Sequence, residues 1–398
     1  MNERPRITLK PSRRAHVAPF LAMDVLRDAN ARAAKGDPVL HLEVGQPFDG
    51  PPEPVLEAVR AAMASGPLGY TEALGIPPLR ECIARYYGEE HGLDIAPARI
   101  AVTTGTSAGL IYALLALFDE GARVAIGRPW YPAYPNILKA LGLEAADIPL
   151  DPATGYRLDG TALSRLEGRT DGILSGSPAN PTGAVLDREA LAALEACSRE
   201  HGAAVISDEI YQGIDYGAPA PTALSVLPDA VVVNGFSKFY CMTGWRIGWM
   251  VLPETLVRTV ERLAQNLSVA PPTPSQYGAL AAFEPESVEI CRSRVARYAR
   301  NRARLLEALR KAGFRSPSEA AGAFYIYAEL PDWAEDSEVF CRTLLAETGV
   351  ALTPGADFDR VRGHRTVRLC FAASEAQIGE ACDRLARWAA KRREDARG

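Results

Sequence analysis

Residues 234–249 read N-G-F-S-K-F-Y-C-M-T-G-W-R-I-G-W, and they place Lys238 shortly after the apolar run 230–233. Short runs rich in β-branched residues are typical of buried strands in a parallel sheet. A single lysine is usually a solvated surface residue, so Lys238 alone indicates no function. The alternative is a nucleophilic lysine with Arg246 holding an anion beside it. That alternative requires other residues to converge on the same place.

The surrounding sequence alternates short apolar runs with helical stretches from residue 99 onward. This alternation predicts an α/β fold with a mostly parallel sheet flanked by helices. Helices are expected to follow two of the strands, at 105–118 and 187–200. The predicted strands are 99–104, 123–126, 172–175, 203–207, 230–233 and 247–252.

The pattern changes after the Pro-rich segment 269–275. A long helical region at 286–312 is followed by strands and helices that are segregated rather than alternating, which predicts a smaller α+β domain. We expect a large domain at 46–285, and a small domain formed by residues 1–45 together with 286–398.

Composition limits the class of protein. The chain has 398 residues, 47% of them hydrophobic, and a formal net charge of −5, which gives no reason to expect nucleic-acid binding. Its seven cysteines are scattered without a C-x-x-C pair, which favours reduced thiols over disulfides or a metal site. The N-terminus lacks the apolar segment of a secretory signal, and no apolar run approaches the roughly 18 residues of a membrane helix. We expect a soluble cytoplasmic protein with no metal, no nucleic-acid partner and no membrane partner.

Polar and small residues follow the predicted strands. In an open parallel sheet, ligands bind outside the carboxyl ends of the strands, so these residues are expected to face one crevice. In strand order they are Gly105, Thr106 and Ser107, then Tyr131, Asn180, Asp208 and Lys238.

Each of these residues also has an ordinary structural interpretation. Thr106 or Ser107 can cap a helix instead of opening an anion site. Asp208 can be a solvated or capping carboxylate instead of one buried against a cation. Asn180 lies in N-P-T-G and can simply form a turn, and Tyr131 can be a packing residue. No G-x-G-x-x-G or G-K-[ST] motif follows a strand, which argues against dinucleotide or Walker-type phosphate binding.

Taken together, the motifs resemble the fold-type I pyridoxal-phosphate enzymes of the class I/II aminotransferase family, the aspartate aminotransferase superfamily. The similarity extends over most of the chain, and the motifs occur in the family's order. They are L-E-V-G-Q-P (42–47), G-Y-T-E-A-L-G-I-P-P-L-R (69–80), T-T-G-T-S-A-G-L (103–110), P-W-Y-P-A-Y (129–134), S-P-A-N-P-T-G (177–183), S-D-E-I-Y (207–211), S-K-F-Y-C-M-T-G-W-R-I-G (237–248) and V-R-L-C-F-A (367–372).

The resemblance implies roles around the cofactor ring. Lys238 would form the Schiff base with pyridoxal 5′-phosphate and then move a proton during the reaction. Asp208 would pair with the pyridine nitrogen, which makes the ring an electron sink. Asn180 and Tyr211 would hydrogen-bond the 3′ oxygen, and Tyr131 would stack on the ring.

The resemblance also implies a phosphate site and a homodimer. The phosphate would lie on the backbone of Gly105, Thr106 and Ser107, with Arg246 as a charged partner. Tyr70 would reach this site from the second subunit, so the active sites are expected at the subunit interface.

On the substrate side, the resemblance implies that Arg368 binds the α-carboxylate of the amino acid, because a planar guanidinium suits a carboxylate. Asn180 and the backbone of Gly45 would contact the same substrate.

Two positions depart from the family pattern. Many relatives carry a serine three residues before the lysine, where this chain has Gly235, and Ser237 is a candidate replacement. The segment 266–275 contains no arginine for a distal carboxylate, so nothing in it indicates a dicarboxylate substrate.

The predicted function is therefore a pyridoxal-phosphate-dependent aminotransferase. It would move the amino group of an L-amino acid to a 2-oxo acid by a ping-pong mechanism. The alternative is a lyase, decarboxylase or cyclase with the same cofactor, because the same residues serve those reactions.

Overall fold

The computed structural model describes residues 9–315 and 317–395. The strands are β1 (Leu40–His41), β2 (Ile100–Thr103), β3 (Arg123–Arg128), β4 (Glu144–Pro149), β5 (Gly172–Gly176), β6 (Ala204–Asp208), β7 (Val231–Gly235), β8 (Gly248–Val251), β9 (Tyr325–Glu329), β10 (Val350–Ala351), β11 (Thr353–Pro354) and β12 (Thr366–Cys370).

The α-helices lie between and around these strands. They are α1 (Leu21–Ala33), α2 (Glu53–Ser65), α3 (Pro77–His91), α4 (Gly105–Leu117), α5 (Ala133–Leu141), α6 (Gly160–Leu163), α7 (Arg188–His201), α8 (Glu254–Leu267), α9 (Thr273–Ala282), α10 (Pro285–Ala312), α11 (Ser337–Thr348) and α12 (Glu375–Asp395).

A seven-stranded sheet in the order β2-β8-β7-β6-β5-β3-β4 forms the centre of the fold. Strands β3 to β7 pair in parallel, whereas β8 is antiparallel to both of its neighbours, β2 and β7. Because only β8 is reversed, β2, β3, β5, β6 and β7 end at the same edge of the sheet. The predicted α/β class with a mostly parallel sheet is confirmed.

Both faces of this sheet are covered by apolar side chains. Val232 and Ile173 pack into the core on one face, whereas Val231 and Ile206 pack into the core on the other. Strand β7 is buried along its whole length, as parallel strands between two helical layers usually are. This rigid frame holds the loops at the carboxyl edge.

Strand β4 was missed by the sequence prediction. It pairs with β3 only, at the edge of the sheet, and alternates exposed and buried residues. Its sequence E-A-A-D-I-P contains one β-branched residue, so neither composition nor a continuous apolar run marked it as a strand.

Two smaller sheets lie in the remainder of the chain. Strands β11, β12 and β9 form an antiparallel sheet, and β1 pairs in parallel with β10, with Leu40 opposite Val350. Leu40 and Leu42 share a core with residues of α10 and β9. The predicted domain limits at 45/46 and 285/286 remain a prediction, and the predicted small domain includes residues 1–8, 316 and 396–398, which lie outside the described residues.

The described residues contain no helix that is long and apolar enough to cross a membrane. The same part of the chain has no group of three or more His, Cys, Asp or Glu residues placed to hold a metal ion. All seven cysteines carry free thiols.

Candidate active site

A cavity of about 250 Å³ opens where the strands of the central sheet end. Eleven of the thirteen site residues predicted from the sequence line it. They are Gly45, Thr106, Ser107, Tyr131, Asn180, Asp208, Tyr211, Ser237, Lys238, Arg246 and Arg368. The structure therefore brings together residues that are up to 323 positions apart (368 − 45 = 323).

The other two predicted residues lie elsewhere. Gly105 does not line the cavity, but a Cβ placed on it would lie 2.7 Å from Arg246 Nη2. Tyr70 does not line the cavity, and its side chain is 87% exposed. A role for Tyr70 in the site of a second subunit therefore stays a prediction.

The Lys238 amine points toward the N-terminal segment. Its Nζ donates to the carbonyl oxygen of Gly45 at 2.6 Å and lies 5.8 Å from the centre of the Tyr211 ring. Burial lowers the pKa of Lys238 to about 8, and the positive charges of Arg368 and Arg246 act in the same direction. An appreciable part of this amine is therefore neutral near physiological pH, as a nucleophile requires.

Asp208 ends β6 and is 5% exposed. The Tyr134 hydroxyl donates to Oδ2 at 2.8 Å, and the Ile210 amide donates to Oδ1 at 3.2 Å. Burial raises the pKa of Asp208 to about 6, although both hydrogen bonds oppose this rise. Because an ionised carboxylate is costly to bury without a cation, this site favours a positively charged partner.

The start of α4 and Arg246 form a candidate anion site. Gly105 has φ +74°, and a Cβ placed on it would lie 2.7 Å from Arg246 Nη2. Only glycine provides both the left-handed backbone and the space for the guanidinium. The first turn of a helix offers free N–H groups and a positive dipole end, and Arg246 adds a full positive charge there.

Arg368 is only 3% exposed, and hydrogen bonds from both of its Nη atoms hold the guanidinium. Its Nη1 donates to Asn180 Oδ1 at 2.9 Å, and its Nη2 donates to the Glu43 carbonyl at 2.5 Å and to Thr353 Oγ1 at 3.3 Å. The guanidinium also lies 4.4 Å from the centre of the Tyr325 ring. Within the part of the chain that the structure describes, buried Arg368 Nε has no hydrogen-bond partner. This guanidinium suits an anionic ligand such as a carboxylate.

Tyr325 and Tyr134 belong to the site but were missed by sequence reasoning. The Tyr325 and Tyr211 hydroxyls are 2.7 Å apart, and a Cβ on Gly45 would clash with the Tyr325 hydroxyl. The sequence F-Y-I-Y (324–327) is typical of a strand, but it does not show which tyrosine faces the cavity. Tyr134 lies in P-W-Y-P-A-Y, whose tyrosine at 131 drew attention because it follows the predicted strand.

The structure gives a physical reason for the departure at Gly235. A Cβ at this position would lie 3.1 Å from the Gly248 Cα and 3.2 Å from the Ile247 carbonyl oxygen. These contacts are tight because β7 and β8 pair closely here, with Gly235 opposite Gly248. A serine at this position would crowd the backbone of β8.

The outer wall of the cavity is apolar. Phe20, Met23 and Ile137 line it, and the Phe20 ring meets Tyr131 edge-on at 5.8 Å. The Asp357 carboxylate accepts hydrogen bonds from the first two amides of α1, which fixes the segment carrying Phe20 and Met23. No sequence pattern indicated this wall, because the N-terminal segment matched none of the motifs.

Comparison with known proteins identifies the family. The family model described as aminotransferase class I and II matches residues 37–385. The chain belongs to this family. The predicted membership is confirmed, and the protein is an aminotransferase, which transfers amino groups.

Individual relatives agree with this assignment. The valine–pyruvate aminotransferase of Mycobacterium tuberculosis is 44% identical over 377 residues, covering 94% of this chain and 97% of the relative. The crystal structure of an aminotransferase from Mycobacterium tuberculosis superposes with a TM-score of 0.94 at 43% identity, covering 96% of this chain and 100% of the other. The aspartate aminotransferase of Thermus thermophilus with maleate gives a TM-score of 0.89 at 32% identity, with coverage of 96% and 100%. The fold of this aminotransferase is therefore the fold-type I architecture predicted from the sequence.

Proposed function

We propose that this aminotransferase works with pyridoxal 5′-phosphate bound as a Schiff base to Lys238. The observation that carries the proposal is the pairing of a buried amine with a lowered pKa and a buried carboxylate with a raised pKa in one cavity. The cofactor has complementary groups: an aldehyde for Lys238, a basic nitrogen for Asp208 and a phosphate for the Arg246 site. The residues present therefore fit this cofactor.

When bound, the cofactor would supply an electron sink for the carbanion formed at the substrate Cα. Asp208 would keep the pyridine nitrogen protonated. Asn180 and Tyr211 would hydrogen-bond the 3′ oxygen, and Tyr131 would stack on the ring.

The phosphate would be held by the backbone of Gly105, Thr106 and Ser107, by Arg246 and by Ser237. Ser237 lines the cavity directly before the lysine, so it is placed to replace the ligand that Gly235 cannot provide. Tyr70 would complete the phosphate site of a second copy of the chain, which fits its high exposure in a single copy. A homodimer is therefore part of the proposal.

On the substrate side, Arg368 would bind the α-carboxylate, with Asn180 held beside it by the 2.9 Å hydrogen bond. The backbone of Gly45 would contact the same substrate. For catalysis, the Lys238 amine would have to leave the hydrogen bond that it donates to the Gly45 carbonyl. The Lys238 amine would then take the proton from the substrate Cα. A positioned base of this kind contributes roughly 10²–10⁴-fold to the rate. The 2-oxo acid product would leave before the second 2-oxo acid binds, which is a ping-pong order.

We further propose that the donor has an apolar side chain and one carboxylate. The cations that line the cavity within the described residues are Lys238, Arg246 and Arg368, and each already has a role. The remaining wall contains Phe20, Met23 and Ile137, which favour an aliphatic side chain. The name of the 44% identical relative, a valine–pyruvate aminotransferase, supports valine and pyruvate as the first pair to test.

We also propose that the protein works in the cytoplasm and consists of two domains. Seven free thiols suit the reducing cytoplasm. The proposed domains are residues 46–285 for the cofactor and residues 1–45 with 286–398 for closing the substrate site, which agrees with the origin of Arg368 in β12.

The central test is chemical. The purified protein should be yellow, and borohydride should attach the cofactor to the peptide that contains Lys238. A Lys238→Ala variant should form no reducible adduct, and an adduct in that variant would overturn the assignment. Valine alone should give at most about one equivalent of 2-oxo acid per Lys238, and repeated turnover should require pyruvate or another 2-oxo acid. Multiple turnovers without an acceptor would instead indicate a reaction of the lyase or decarboxylase type.

A further inference from the structure

Tyr325 contacts three parts of the site at once. It begins β9 and is fully buried. Its hydroxyl is 2.7 Å from the Tyr211 hydroxyl, and its ring lies 4.4 Å from the Arg368 guanidinium. The Gly45 backbone packs against the same hydroxyl. One side chain thus lies between the predicted cofactor partner Tyr211 and the predicted carboxylate partner Arg368.

We propose that Tyr325 is a positioning residue whose hydroxyl donates to Tyr211 and so directs the Tyr211 hydroxyl to the 3′ oxygen of the cofactor. This inference rests on the proposed function of the site, because it assumes that the cofactor is pyridoxal 5′-phosphate.

The direction of the hydrogen bonds follows from the number of protons. Each phenol has one proton to donate and an oxygen that accepts. If Tyr211 donates its proton to the cofactor, the 2.7 Å contact requires that Tyr325 donate to the Tyr211 oxygen. Burial raises the pKa of both phenols, so both keep their protons over the working pH range. A chain of two hydrogen bonds polarises each member, and this strengthens the bond to the 3′ oxygen.

The hydroxyl and the ring of Tyr325 have separable effects. The hydroxyl acts through Tyr211 on the cofactor, whereas the ring packs on the guanidinium of Arg368 and restricts its orientation. Removing only the hydroxyl should therefore change the pH titration of the bound cofactor and leave amino-acid binding intact. Removing the ring as well should affect both.

The test is a pH titration of the absorbance of the bound cofactor in Tyr325→Phe. A weaker hydrogen bond stabilises the negative charge on the 3′ oxygen less, so this oxygen holds the neighbouring Schiff-base proton more strongly. The midpoint should rise by roughly 0.5–1 pH unit, which corresponds to one net hydrogen bond. We expect kcat to fall about 3- to 10-fold, and KM for the amino acid to change by less than about 2-fold.

Tyr327→Phe is the matched control. Tyr327 is a buried tyrosine two residues further along β9, and its hydroxyl accepts from Thr366 Oγ1 at 2.6 Å, but it does not line the cavity. In Tyr327→Phe, the absorbance of the bound cofactor should titrate with the same midpoint as in the unmodified enzyme. Tyr325→Leu should reproduce the shift of Tyr325→Phe and also raise KM for the amino acid, because Arg368 loses its ring contact.

A double-mutant cycle distinguishes action through Tyr211 from a separate effect. If Tyr325 acts through Tyr211, the variant Tyr211→Phe/Tyr325→Phe should titrate like Tyr211→Phe alone. Additive shifts would overturn the proposal, and so would a Tyr325→Phe midpoint equal to that of the unmodified enzyme. If the unmodified enzyme binds no cofactor or shows no titration, it is the proposed function that fails.

Discussion

The Tyr134 hydroxyl donates to Asp208 Oδ2 at 2.8 Å in a part of the site where both side chains are buried. This bond holds one carboxylate oxygen and stabilises the ionised form. It does not compensate for the cost of burial, because the pKa of Asp208 is still raised to about 6. Burial therefore destabilises the ionised Asp208 carboxylate, and a cation bound beside it would stabilise it.

Asp208→Asn should therefore stabilise the cofactor-free protein in a pH-dependent way. The folded-state pKa of about 6 lies above the ordinary value of 3.8, so the unmodified protein loses stability as the pH rises from about 4 to 6. The advantage of the Asn variant should be smallest near pH 4, grow up to pH 6 and stay constant above, reaching on the order of 3 kcal/mol. Thermal melting of both proteins from pH 4 to 8 measures this difference.

Tyr134→Phe provides a second arm of that experiment. Without the donated hydrogen bond, the pKa of Asp208 should rise further, so the loss of stability should extend to higher pH. A gap between Asp208→Asn and the unmodified protein that is independent of pH would contradict this account of Asp208.

The pH dependence of Lys238 labelling tests its environment. The neutral amine is the reactive form, and burial lowers the pKa of Lys238 from 10.5 to about 8. In the cofactor-free protein, the rate of borohydride-trapped attachment of the cofactor aldehyde should rise about tenfold per pH unit below 8 and level off above it. Mass spectrometry of the Lys238 peptide measures the rate. A rate that still climbs tenfold between pH 9 and 10 would show an amine that is not desolvated.

Arg368 variants should separate substrate binding from cofactor binding. Arg368→Ala removes the guanidinium that donates hydrogen bonds to Asn180 Oδ1 and to the Glu43 carbonyl oxygen. Because this group would bind the α-carboxylate, KM for the amino acid should rise about 10- to 100-fold. The dissociation constant of the cofactor should stay within about 2-fold, because the proposed phosphate site is on α4 and Arg246. Arg368→Lys keeps the charge without the planar guanidinium and should recover only part of the loss. Equal weakening of both ligands would argue against the assigned role.

Gly105→Ala and Gly36→Ala form a matched pair for the anion site. Both glycines have positive φ, +74° and +89°, so alanine should cost about 1–2 kcal/mol of stability at each position. Gly36 has no atom within 4 Å of an added Cβ, whereas at Gly105 the Cβ would push on Arg246. Only Gly105→Ala should weaken cofactor binding. Titrating each variant with the cofactor and following the absorbance of the bound cofactor measures this affinity. A similar loss of affinity in Gly36→Ala would show that general destabilisation is responsible.

The sequence predicted the carboxyl edge well because strand ends are local features. Lys238, Asp208 and Asn180 each come within a few residues of an apolar run, and the parallel arrangement then requires a shared edge. Arg368 was predicted only from the family resemblance, because no local pattern connects it to Asn180. The fold class was predictable as well, because alternating strands and helices have few packing solutions.

Other parts of the site depend on contacts that no local pattern encodes. Tyr325 and Tyr327 alternate with buried apolar residues, and only the pairing of β9 with β12 decides what each tyrosine meets. Phe20 contacts Tyr131 across 111 residues of chain (131 − 20 = 111). Strand β4 is defined by its neighbour β3 more than by its own composition.

The pairing of β1 with β10 fixes the order in which the chain can assemble during synthesis. The central sheet has all its strands once Val251 has been made, whereas Leu40 must wait 310 residues for its partner Val350 (350 − 40 = 310). At 5–20 residues per second, this wait lasts about 15–60 s on the ribosome. The edge that carries Lys238 and Asp208 can therefore form on the nascent chain before the strand that carries Arg368 exists.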